Sequence, residues 1–461
     1  MEEELAKKAE ILKNLALTEA YSLDYTAALK HSQEALKLYE KLGDFPNVIL
    51  VHTYIAGIFG EGPLVFQDQA KALKHLGAAL AIAEPGPDTP EKAFLYTLIA
   101  HRRLHTDELA TSVIWAQRAV DLSGKLDVFV GSPLGTARAR MGELDKGMEY
   151  QEKNWELYTQ GGNPLGIMLC GHQIILTHTL VRNTPRALEW GKTIAPEVAK
   201  VSGASLNAVN RALVLTYTLS GEISKMMEMC QVAESFDINT GMTCWLEDSA
   251  SLGLLYFRLG EWDKAREVLE ETLLVHDDRH NLVAVKACCL ALGSLNLEMG
   301  NHPKAEEHLL KSLEICRNGG NVLFELWVLP VLAELYLKMG QTEKAAEYVD
   351  RGFALLKPDQ NWYGLPAPVY LAKGMLATAR KDWGTAAESF DKAIQINRQY
   401  QRPWDEAKTL YERGLMYLSR GRKVDRDKAH EDLDEALAIF QKVGAKKDVE
   451  KVLRNKEMLG A

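Results

Sequence analysis

The chain has 461 residues, of which 47% are hydrophobic and 25% charged, enough apolar material for one large core or a long array of small ones. Its net charge of −9 opposes a sequence-independent nucleic-acid binder, which needs a dominant basic face to displace counterions. Helix formers dominate, Val/Ile/Thr alternation is scarce, and no apolar run nears the ~18 residues of a membrane span, so a cytoplasmic, all-α protein with no membrane contact is expected.

MEEELAKKAE opens the chain as a charged helix start and not as a secretion signal. YTAALKHSQEA (25–35), QAKALKHLGAA (69–79) and TSVIWAQRA (111–119) follow, then ELDKGMEYQEKN (143–154), TPRALEWGKTI (184–194) and EISKMMEMCQVA (222–233). Each reads as the second helix of a helical hairpin. GEGPLVFQDQ (60–69) reads as a lengthened turn. GSPLG (131–135) and GNPLG (162–166) are near-copies. In the later copy Asn163 suits an N-cap and Pro164 the first helical position. In the earlier one Pro133 stands two residues before Gly135, which predicts a short or broken helix and an irregular connection over 124–134.

From residue 253 the pattern sharpens into a repeat. GLLYFRLGEWDKAREVLEETL begins at Gly253, and its counterparts begin at Gly293, Ala333, Gly374 and Gly414. A period near 40 residues marks a solenoid of helical hairpins, none of which can bury its apolar face alone. Gly253, Gly293, Ala333, Gly374 and Gly414 are small where the first helix meets the second; Ala265, Ala305, Ala345, Ala386 and Ala429 are their counterparts on the second helix. Tyr256, Tyr336, Tyr417, Leu269 and Phe390 are expected to fill the space between hairpins. Gly260, Gly300, Gly340 and Gly421 are placed to end first helices in the left-handed conformation. VDRD (424–427) reads as an insertion into the last turn.

These positions resemble the tetratricopeptide repeat, strongly over 246–440 and weakly upstream. The resemblance implies an all-α, right-handed solenoid of about eleven hairpins. It divides into repeats 1–3 (1–122), degenerate repeats 4–6 (123–245), well-formed repeats 7–11 (246–445) and a capping helix (446–461). The lengthened repeats are similar to sensor arrays of large bacterial signalling proteins: signal-transduction ATPases, MalT-like proteins and cyclase-associated arrays.

Motifs for chemistry are missing. No phosphate-binding loop, H-E-x-x-H or G-x-S-x-G occurs. HRRLH (101–105) and HDDRH (276–280) pair histidines at helical spacing, but lack a further fixed ligand, and the second falls where a helix should end. The six cysteines, Cys170, Cys230, Cys244, Cys288, Cys289 and Cys316, form no C-x-x-C pair and read as reduced buried thiols. Carboxylates sit beside lysines as solvated helix partners. No catalytic residue, cofactor or metal is expected, and the protein is read as a non-enzyme.

Function is therefore expected on a surface. In the resembled family the first helices line a concave face. Carried over by register, that face comprises Ala250, Leu254, Phe257, Leu290, Ser294 and Leu297, continuing through Pro330, Glu334, Leu337, Leu371, Met375 and Thr378 to Tyr411, Leu415 and Leu418. Upstream it takes Lys13, Thr97, His101, His172 and Arg211. An apolar C-terminal wall and a mildly cationic N-terminal wall follow, with Trp327, Trp362, Tyr363 and Tyr411 as anchor candidates. The expected role is a protein-interaction or sensor scaffold holding a protein or peptide in this groove, with a small inducer molecule as the alternative and no nucleic acid. Packing of the inner helices on one another, or the final helix lying in the groove, is the structural alternative for the same apolar residues.

Overall fold

A computed structural model describes residues 2–21, 24–61, 66–123, 128–161, 164–200, 203–240 and 247–460. Among them every regular element is a helix, and helices pair in sequence. α1 (Glu2–Tyr21) packs on α2 (Tyr25–Leu42), α3 (Phe45–Glu61) on α4 (Gln69–Ala83), and α5 (Pro90–His105) on α6 (Leu109–Ser123). α7 (Val128–Arg140) and α8 (Leu144–Gly161), α9 (Pro164–Leu180) and α10 (Thr184–Ala199), and α11 (Gly203–Ser220) and α12 (Ile223–Thr240) repeat this. The later pairs are α13 (Glu247–Leu259) with α14 (Trp262–Asp278), α15 (Leu282–Glu298) with α16 (His302–Gly319), and α17 (Val322–Lys338) with α18 (Thr342–Leu355). α19 (Pro366–Ala379) with α20 (Trp383–Gln399) and α21 (Pro403–Arg420) with α22 (Lys423–Lys442) complete eleven hairpins, and α23 (Lys446–Gly460) packs on α22. The molecule is an all-α helical-repeat solenoid.

Local chemistry explains each unit. Asn281, Asn321 and Asp382 cap α15, α17 and α20 by accepting from the backbone N–H three residues on. Gly260, Gly300, Gly340 and Gly421 all have φ between 71 and 78°, as their placement after first helices requires. The small position does differ in its partner. Gly293 receives the Leu309 side chain, and Gly374 the Phe390 ring. Leu269 and Phe390 therefore fill the interior of their own hairpins, not only the space between them, because the residue one turn beyond each small alanine swings back over the first helix.

Two expectations at irregular segments are corrected. α7 runs without a break from Val128 through Pro133 to Arg140, so only 124–127 separates it from α6, and those residues lie outside the described set, as do Asn163 and Cys244. The lost hydrogen bond at Pro133 is outweighed by close packing: a Cβ on Gly135 would stand 2.8 Å from the Gly147 carbonyl, so α7 and α8 lie backbone to backbone. VDRD is not a turn insertion but the first turn of α22, where Asp425 accepts from the Arg422 backbone N–H at 3.1 Å.

Successive turns of the superhelix touch. Three inner helices meet the one five hairpins later: α5 packs against α15, α7 against α17, and α11 against α21. The turn after α5 docks under Gly319 at the end of α16, where a Cβ would lie 2.1 Å from the Asp107 carbonyl oxygen. Gln360 donates to the Gly142 carbonyl (2.7 Å) and accepts from the Leu144 N–H (3.2 Å). The Gly364 N–H donates to the Val181 carbonyl at 3.1 Å.

Gly319→Ala isolates this winding. Alanine in a helix is favoured over glycine by about 1 kcal/mol, yet here it meets backbone that no rotamer change can clear, at about 1–3 kcal/mol. A net destabilisation of up to about 2 kcal/mol is expected from urea denaturation; a stabilised variant would show that the two superhelical turns do not bear on one another at this point.

Candidate functional site

The winding borders a partly open cavity of about 190 Å³. Its wall comes almost entirely from first helices, from α7 round to α21. Leu254, Phe257, Leu290, Leu371 and Met375 meet there with Trp327, and the earlier winding adds Leu176, Leu180 and Leu215. The apolar residues expected on the concave face thus do converge, on one partly open cavity to which the earlier winding also contributes. Ala250, Ser294, Leu297 and Pro330 lie in the same wall.

The remaining expected residues go elsewhere. Glu334 is in the wall but matched: Lys408 Nζ donates to Oε2 at 2.7 Å and Lys338 Nζ lies 3.1 Å from Oε1. Burial pushes its carboxyl up, and the two lysines outweigh that and hold it well below the usual range. Tyr411 and Leu415 pack towards α22 and α23, the Tyr411 oxygen accepting from Asn455 Nδ2 at 2.6 Å. The final helix therefore closes one side of the array. Trp362 is buried between windings, against Gly142, with Nε1 donating to the Lys357 carbonyl at 2.8 Å; it is a packing residue and not an anchor for a partner. Tyr363 stacks edge-on against Tyr400. His101, buried in α5, lies 2.7 Å from Arg102 Nη2. His172 is buried in α9, Arg211 is half-buried in α11, and neither is in the cavity wall.

The other motifs resolve locally. α14 ends at Asp278 and His280 has φ 57°, so HDDRH does not present two imidazoles on one helix. Among the described residues no group of three or more His, Cys, Asp or Glu side chains could hold a metal. The five described cysteines are buried, with burial pushing the Cys289 and Cys316 thiols up to about 12.

A charge cluster at the cavity wall escapes the repeat register. Asp405, at the start of α21, faces three guanidiniums. Arg402 Nε donates to its Oδ2 at 2.9 Å, Arg182 Nη1 lies 3.4 Å from Oδ2, and Arg258 Nη2 lies 3.6 Å from Oδ1. Burial pushes Arg182 down to about 9 and Arg258 to about 10, and the three cations overcome burial to hold Asp405 well below the carboxylate range. Each flanking arginine lies over an indole: Arg182 is 4.3 Å from the Trp327 ring and Arg258 4.6 Å from that of Trp404. Arg182 itself occupies a turn with φ 62°, the place of Gly260 or Gly300 in later hairpins; that exchange was the one sequence signal of the cluster.

Residues 286–357 and 251–277 match two family models, each described as tetratricopeptide repeat. No curated protein matches the chain. Solved structures similar to it include a Rap protein complexed with Competence and Sporulation Factor (12% identity, 87% of this chain and 100% of that one, TM-score 0.43). A human IFIT1 dimer with m7Gppp-AAAA is 16% identical over 90% of each chain, with TM-score 0.44. An APC/C hetero-tetramer, Cut9–Hcn1, is 12% identical over 98% of this chain and 97% of that one, with TM-score 0.40. Over 251–277 and 286–357, then, the chain is built from tetratricopeptide repeats, and these stretches supply much of the cavity wall.

Proposed function

We propose that this protein is a non-catalytic binding scaffold that receives a short, mainly apolar segment of a peptide or protein partner in its axial cavity. One observation carries the reading: apolar side chains from hairpins that are far apart in sequence converge on a single cavity with charged groups at its margin, the pattern of a site that takes an apolar body and orients it by a few polar contacts. In this reading the array is the sensor region of a larger signalling protein. An ATPase, cyclase or DNA-binding module encoded in the same gene is the observation that checks that part.

Selection of the full chain against a random peptide library tests the cavity. Enriched peptides should be apolar, and Leu254→Lys or Met375→Lys should weaken them at least about tenfold. Both side chains are only half-buried, so a lysine stem can leave its ammonium in solvent and the melting temperature should stay within a few degrees. Binders indifferent to both substitutions would remove the reading.

A small apolar effector is the second reading, favoured by the small volume and mainly apolar lining of the cavity. An apolar cavity of ~150 Å³ accommodates benzene, and this one, at about 190 Å³, suits a compact molecule.

A further inference from the structure

The arginines beside the cavity are under-satisfied. Three guanidiniums carry about fifteen N–H donors, whereas one carboxylate offers about four acceptor sites. Arg182 Nε and Arg258 Nε and Nη1 are buried without any hydrogen-bond partner, and Arg182 Nη1 has only its 3.4 Å approach to Asp405. The two side chains are only 8% and 10% exposed, and both line the cavity. Buried donors left unmade are expensive, and charged ones most of all, so such a pair needs a reason beyond packing.

The charges point the same way. The next acid, Asp448, accepts from Trp404 Nε1 at 3.0 Å and acts on Arg258 across that ring. Arg182, Arg258 and Arg402 thus face Asp405 and Asp448, which leaves one cation unmatched. The neighbouring acids supply no compensation, since Glu298, Glu334 and Glu412 already face Lys338, Lys408 and Lys451. Orientation is prepared as well. Trp327 is fixed by donating Nε1 to the Leu180 carbonyl at 2.8 Å, Trp404 by Asp448, and each indole carries one guanidinium over its ring. Planar forks held in place recognise oxyanions bidentately.

Resting on the reading of the cavity as a ligand site, we propose that Arg182 and Arg258 form a head-group site for one monoanionic oxyanion, and that the ligand is amphipathic: an apolar body in the cavity carrying a carboxylate-class group. A peptide carboxylate and a free amphipathic acid share this chemistry.

Two dyes with the same apolar body test it on the full chain: 1-anilinonaphthalene-8-sulfonate, and N-phenyl-1-naphthylamine, which lacks the anionic group. Wild-type protein is expected to bind the sulfonate at least about tenfold more tightly, the scale of a charge-assisted hydrogen bond. Arg182→Gly should abolish that preference, read as the ratio of the two dyes' affinities for the variant itself. Glycine suits the positive φ at 182, so the turn should persist, and an unchanged helical circular-dichroism spectrum and melting profile check that it does. Displacement of the sulfonate by decanoate marks a free acid as the source, and displacement only by an apolar pentapeptide with a free C-terminus marks a peptide; either supports the shared chemistry. Equal binding of the two dyes, or a sulfonate affinity unmoved by Arg182→Gly, overturns the head-group site while leaving the apolar cavity standing. Failure of both dyes to bind overturns both.

Discussion

Replacing Asp107 with asparagine is expected to destabilise the protein by about 3–5 kcal/mol, the cost of stripping a buried ion of its partner. Asp107 follows α5 and is fully buried; Lys286 of α15 is 1% exposed, and its Nζ lies 2.6 Å from Asp107 Oδ1. Asn321 Nδ2 donates to the same oxygen at 2.9 Å, so one carboxylate ties the turn after α5 to α15 and to the start of α17, five hairpins on. Asparagine preserves the shape and accepts the left-handed φ of 55° at this position, leaving loss of charge as the main change. Lys286 would then keep only its place 5.1 Å from the Phe324 ring centre, a poor substitute for an anion in so dry a site. Adding Lys286→Met should recover most of the loss, because an apolar side chain of similar length needs no counter-charge there. Urea denaturation of the two single variants and the double variant closes the cycle. Additive losses in that cycle would show that the pair does not couple the two windings.

What could be read in the sequence was what depends on neighbours close along the chain. Gly253, Gly293 and Gly374 mark where two consecutive helices cross, and Gly260, Gly300 and Gly340 mark where the first one stops. Both are short-range events, so they recur with the period of the unit. The winding is a different kind of quantity. It is the sum of small rotations over five hairpins, and no single turn residue encodes it. Its traces were visible but mute: Gly319 looks like an ordinary helix-ending glycine until the Asp107 carbonyl is found beneath it. Pro133 misled in the opposite direction, because its intrinsic cost as a helix interrupter is set against a hairpin packed too closely to yield.

The site divides along the same line. Leu254, Leu290 and Met375 were placed by register, since a residue's face on a helix follows from its position relative to the small residue. The Asp405 cluster could not be, since it takes Arg182 from one winding, Arg258 from the next hairpin but one, and Arg402 from six hairpins on. Trp362 shows the hazard in ranking residues by type alone: a large aromatic on a connection suggests an anchor, yet its work here is to fill the joint between turns.

Mild acid should loosen this joint structure, and the sign follows from two buried imidazoles. Burial pushes His178 and His276 down to about 4, and they are only 4% and 1% exposed. Both are thus neutral in the folded chain, whereas in the unfolded chain they protonate near their ordinary value of about 6.5. Their stabilisation is complete above that value and is lost as pH falls from about 6.5 towards 4. At pH 5 each has lost about 2 kcal/mol, or about 4 kcal/mol together. Asp448 works against them in the same window: burial raises it to about 6, so the folded state takes up its proton early and regains about 1 kcal/mol by pH 5. Asp405 and Glu334, both held low, do not enter until below about pH 4. The net expectation is a loss of about 3 kcal/mol between pH 7.5 and pH 5, measured by urea denaturation at the two values. A His178→Leu, His276→Leu double variant should lose most of that dependence, what remains being set by His52, His75 and His308, which burial also holds low, against Asp448 and Glu412, which it pushes up. A double variant that keeps the full acid loss would place the titrating groups elsewhere in the fold.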